Sequence, residues 1–136
     1  MRSDRMNLPE DASRFEFTTL HFGALRGLAA SIEEMLEIGI ERIWEHDLSL
    51  SDMVVELASS RGLEVTSPTD DDQRSAIVSI RPPSEHDSAE IVRRLQDEFG
   101  ILVTDRSGMI RVSPHIDNDH SQIEFLFTSL DKILAN

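Results

Sequence analysis

Apolar residues at Leu25, Leu28, Ala29, Ile32, Met35 and Leu36 recur at three- and four-residue steps, which predicts an amphipathic helix from about Leu20. Gly39 interrupts the stripe, and Ile40, Ile43, Trp44, Leu50, Met53, Val54 and Leu57 renew it to about Ser60. The pattern fits a kinked pair of helices or one long bent helix, stopped by Gly62. Ahead of it, Arg14 to Thr19 is aromatic and β-branched, hence extended in character. Residues 1–13 are polar, contain Pro9, and are expected to form a flexible lead-in to a single domain over 14–136.

Beyond Gly62 the period shortens. Leu63–Thr66 and Ala76–Ile80 read as strands, the second closed by Pro82-Pro83. Asp87-Ser88-Ala89-Glu90 is a capping-box pattern for a helix carrying Ile91, Leu95 and Phe99, with Gly100 as its stop. Ile101–Thr104 and Met109–Ser113 are strands joined by a four-residue loop, Asp105 to Gly108. Asp119 and Gln122 then form a capping pair for a last helix from about His120 to Leu134. This order predicts an α+β fold: a helical lead-in, then a small, mainly antiparallel sheet with helices packed on one face.

Charge changes the picture in one respect. The 136 residues carry 26 acidic and 13 basic side chains, a net charge of −13. No basic stripe is available for a nucleic-acid partner. No apolar run is long enough to span a bilayer, and residues 1–6 lack the apolar core of a signal peptide. The absence of cysteine removes disulfides and thiolate ligands, and a reducing cytoplasm fits it. There is one lysine, Lys132.

The candidate chemistry lies in Met109 to Asp119. Alternation places Ile110 and Val112 on one sheet face, and Met109, Arg111 and Ser113 on the other. A guanidinium there needs water, a carboxylate or a phosphate. Its bland reading is a surface charge. The side chains of His115, Asp117, Asp119 and His120 could suggest metal ligands, but a helix start explains the acids more simply, and no metal is expected. Asp70-Asp71-Asp72 reads as a solvated loop and Trp44 as core or a contact with another domain; His21 and His46 receive no role.

Several blocks together resemble the class V aminotransferases, pyridoxal-phosphate enzymes of fold type I. They are Arg14-Phe15-Glu16 followed by threonine, Glu37 to Ile43, Ala76 to Ile80, and Ile110 to His115 with Asn118 beyond. The resemblance is co-linear from about Asp11 to the end and is to the C-terminal, small-domain portion of such enzymes. It implies that Arg111 pairs with the substrate carboxylate through its planar fork. It also implies that Thr19 contacts the cofactor phosphate, although Thr18 replaces the family's glycine and Asp117 its usual tyrosine.

The resemblance further implies a Schiff-base lysine in a large domain preceding this region. Lys132, near the end of the last helix, has none of the expected surroundings, so no catalytic residue is assigned. The chain alone is expected to be inactive and to bind no pyridoxal phosphate. In the complete enzyme the substrate would be an amino or keto acid and the assembly a homo-oligomer, with an apolar patch on the early helix facing a partner domain. Cysteine desulfurase activity is not expected even of a complete version, because those enzymes use a cysteine before the equivalent arginine. Transamination, epimerisation and lyase chemistry stay open. The alternative is a free-standing α+β binding module that recognises a small carboxylate through Arg111.

Overall fold

The computed structural model describes residues 9–15 and 21–135. The chain divides into two units between Gly39 and Ile40. In the first, Ala12–Phe15 forms a 3-10 turn where extended chain is expected. The Asp11 carboxylate accepts from the Ser13 N–H at 2.9 Å and favours the turn, while residues 16–19 of the expected stretch lie outside the described residues. The helix α1, Phe22–Ile38, follows, and none of its residues is buried.

The second unit opens with α2, Ile40–Ser60, and holds the core. Four strands, β1 Glu64–Val65, β2 Val78–Arg81, β3 Thr104–Arg106 and β4 Met109–Val112, form one antiparallel sheet in the order β1-β2-β4-β3. Two further helices, α3 Ser88–Phe99 and α4 His120–Leu134, complete the unit. Val78, Ile80, Ile110 and Val112 project from one sheet face into a core with Leu50, Val54, Ile91, Leu95, Ile123 and Phe127 from the helices. The fold is thus α+β with helices on one face, as the periodicity predicts.

Three local expectations need correction. The second strand begins at Val78, not Ala76, because its ladder with β4 starts at the pair Val78 and Val112. Asp87 caps α3 by accepting from the Ala89 N–H at 3.2 Å, but Glu90 does not complete a capping box. Its carboxylate is held instead by the Arg93 fork at 2.6 and 2.9 Å. The hairpin loop is two residues, Ser107-Gly108, rather than four. Both have positive φ, 53° and 78°, which matches the strand twist and lets Arg106 pair directly with Met109.

At α4 the capping pair is formed in full. Asp119 accepts from the Gln122 N–H at 3.0 Å, and Gln122 Oε1 accepts from the Asp119 N–H at 3.1 Å. Trp44 is 45% exposed and is not a core residue. Among the described residues no helix is long and apolar enough to cross a membrane.

Candidate functional site

Arg111 sits in the middle of β4, an inner strand, so its backbone is laced on both sides. Its partners are Ser79 on β2 and Thr104 on β3. The flanking Ile110 and Val112 are buried in the core, and Arg111 points to the opposite face, where it is half-buried. Its Nε is enclosed and has no hydrogen-bond partner. The two Nη nitrogens are not among the enclosed, unpartnered atoms, and they are the fork's other donors. A shielded stem below a planar fork suits an arginine that orients an anion.

The rest of that face follows from register. Arg106 on β3 lies opposite Met109, one step diagonally from Arg111. Arg81 on β2 is neutralised by Glu64 across the β1–β2 ladder at 2.7 Å. Asp105, between Thr104 and Arg106, points to the core side, where it accepts from the Ser88 hydroxyl at the start of α3. The face therefore carries Arg106 and Arg111 with no acid of the hairpin turned towards them. Sequence reasoning missed Arg106 because it placed that residue in a loop.

A second feature lies around the end of β4. An open groove of about 390 Å³ is lined by Phe99, Ile101, Val103, Pro114, Phe125 and Leu126, with Ser113, Asn118 and Gln122 as polar members. Gly100 ends α3 with φ 69°, a left-handed cap that turns 101–103 along the groove. Asn118 belongs to the wall rather than reaching out of it. Its Oδ1 accepts from the His115 N–H at 3.0 Å, and its Nδ2 donates to Gln122 at 3.0 Å. Its carbonyl meets His46 Nε2 of α2 at 2.9 Å, a contact that no sequence pattern signalled. Arg111 does not line this groove.

Of the acids after β4, Asp119 is the one engaged at the helix start. Asp119 caps α4, and Asp117 lies 3.6 Å from His115. Among the described residues no group of three histidine, cysteine, aspartate or glutamate side chains could hold a metal ion. Thr19, assigned above to a cofactor phosphate, lies outside the described residues. Lys132 is on α4 with Nζ 5.5 Å from the Phe99 ring centroid. Among the described residues no other lysine accompanies it.

The sequence profile of the class-V aminotransferases matches residues 2–126. The chain belongs to this family. Among class-V relatives, a probable cysteine desulfurase of Pyrococcus abyssi is 26% identical over 140 residues, covering 95% of this chain and 35% of the relative. Another, from Methanothermobacter thermautotrophicus, is 27% identical over 143 residues, covering 93% and 35%. The apo structure of a cysteine desulfurase from Thermococcus onnurineus superposes with a TM-score of 0.82 at 23% identity, over 98% of this chain and 36% of that one. An alanine–glyoxylate aminotransferase from Nostoc superposes with a TM-score of 0.71 at 17% identity, over 91% and 34%. The two structures share the class-V fold, and the chain spans about a third of the length of these proteins.

These relatives overturn the expectation against desulfurase chemistry. That expectation rested on the absence of a cysteine from the stretch before Arg111, yet the proteins that match this chain over 93–95% of its residues are named probable cysteine desulfurases.

Proposed function

We propose that this chain acts as the small-domain portion of a pyridoxal-phosphate-dependent class-V enzyme and that Arg111 holds the carboxylate of its amino-acid or keto-acid substrate. The observation that carries this is the outward, half-buried arginine on an inner strand, with its Nε enclosed and no ion pair among the described residues. Two parallel charge-assisted hydrogen bonds would fix both the position and the plane of the acid. The cofactor would supply the electron sink for bond cleavage at the substrate's α-carbon, and its lysine would come from residues other than those described. By themselves the 136 residues would orient an acid without transforming it. Desulfuration, as the names of the curated relatives suggest, and transamination both begin with that orientation.

The helix α1 supports a further part of this reading. Leu28, Ile32 and Leu36 line one side of it and are exposed, as expected of a surface that meets another domain or a second copy. The enzyme would then be a cytoplasmic homodimer, which suits a chain without cysteine.

The test is a two-dimensional NMR titration of the chain with pyruvate. Shifts should centre on Ser79, Thr104 and Arg111. Arg111→Gln should abolish them and Arg111→Lys should weaken binding by about three- to tenfold, since a point charge replaces a fork. Unaltered binding by Arg111→Gln would reject the assignment.

A further inference from the structure

In the second unit, five arginines are neutralised by acids. Arg61 meets Asp131, Arg74 meets Asp52, Arg81 meets Glu64, Arg93 meets Glu90 and Asp97, and Arg94 meets Glu98. In a chain with twice as many acids as bases, this is the expected fate of a guanidinium. Arg42, Arg106 and Arg111 form no ion pair among the described residues, and the last two are neighbours on the sheet. Arg111 lies across from Thr104 and Arg106 is two residues further along β3, which makes them a diagonal pair on one face, about 7–8 Å apart at the backbone.

Like charges on diagonal neighbours repel, and the nearby acid that could have relieved them is aimed elsewhere. Asp105 lies between the two rows but faces the core, held by Ser88. On the other flank, Arg81 already occupies Glu64. A hairpin built in this way presents two arginines on one face without an ion pair.

We infer that Arg106 recognises a second anionic group at the side-chain end of the acid held by Arg111. The ligand class is therefore a short amino or keto acid whose far end is a carboxylate or an ionised thiol rather than an alkyl group. This rests on the Arg111 reading above and extends it from a carboxylate to a pair of negative charges. The shape of the face supports it: Arg111 is shielded at Nε and fixed on an inner strand, whereas Arg106 is exposed beside the Ser107-Gly108 turn, free to follow the length of the ligand.

The experiment compares acids that differ only at the far end. 2-Oxoglutarate and 2-oxopentanoate are titrated into the wild-type chain, Arg106→Gln and Arg111→Gln, with NMR shifts giving Kd. 3-Mercaptopyruvate is compared with pyruvate at neutral pH and again above the ordinary thiol pKa of ~8.5. An exposed second ion pair should tighten binding by about three- to fivefold. Arg106→Gln should remove that gain and leave 2-oxopentanoate and pyruvate unaffected. A gain for 2-oxoglutarate identifies a carboxylate end, and one for 3-mercaptopyruvate that appears only as its thiol ionises identifies a thiolate.

Equal affinities within both pairs, still lost in Arg111→Gln, would overturn the role of Arg106 while leaving Arg111 in place. Loss of neither pair in Arg111→Gln would overturn both. Arg106 is exposed, so its replacement should leave the wild-type spectrum outside β3 and β4 intact and the comparison valid.

Discussion

Asp119 shows how one side chain can hold two structures together. Its carboxylate caps α4, and the helix it starts carries Ile123, Phe127 and Leu130 into the core. The Ser121 hydroxyl, at 2.6 Å, and after it the Gln122 backbone N–H hold the Asp119 carboxyl below the ordinary aspartate range. A lowered folded value means that the cap contributes fully above the unfolded aspartate value of ~3.9 and loses its contribution as pH falls through the lowered folded value. Asp119→Ala should therefore reduce Tm by a few degrees at neutral pH, and the gap from wild type should narrow in strong acid. Asp119→Asn keeps an acceptor for the Gln122 N–H, so it should melt close to wild type at neutral pH and lack that acid-dependent loss. Thermal melts across acid pH check both outcomes.

At the scale of elements, what was legible depended on how local the deciding interaction is. The Asp119–Gln122 cap and the Gly100 stop are written within a few consecutive residues, and both were readable. Glu90 carried an equally good capping pattern, but Arg93, three residues on, competed for its carboxylate. The hairpin turned on the φ of Ser107, a residue type that does not announce a left-handed backbone, and a two-residue error there hid Arg106. The groove was illegible for another reason: Phe99, Pro114 and Phe125 are distant in sequence and meet only through packing. Arg111 was readable as an outward residue from alternation alone, whereas its enclosed Nε was not. Since Ser107 bears a Cβ at φ 53°, Ser107→Asn should relieve the turn and raise stability by about 0.5 kcal/mol, measured by urea unfolding.

Across the whole second unit, Phe127 ties the layers together. It is fully buried in α4, and the Arg61 guanidinium lies 5.2 Å from its ring centroid. Arg61 also grips Asp131 with two hydrogen bonds of 2.8 and 2.9 Å, so the C-terminal end of α2 and α4 meet through one aromatic ring and one ion pair. The ion pair is partly exposed and contributes little, while the ring fills volume that nothing else can occupy. Phe127→Ala should cost about 3–5 kcal/mol in urea unfolding, against less than about 1 kcal/mol for Asp131→Asn.

The strand order has a consequence for how such a face could diversify. Threaded between two neighbours, β4 tolerates little alteration without loosening both ladders, whereas β3 is an edge strand with a single neighbour in the sheet. If the proposed roles of Arg111 and Arg106 hold, anchor and discriminator are uncoupled: replacements at the hairpin rim would retune what is admitted while the grip beneath stays unchanged. New selectivity on this platform would then come from few substitutions, at little risk to folding.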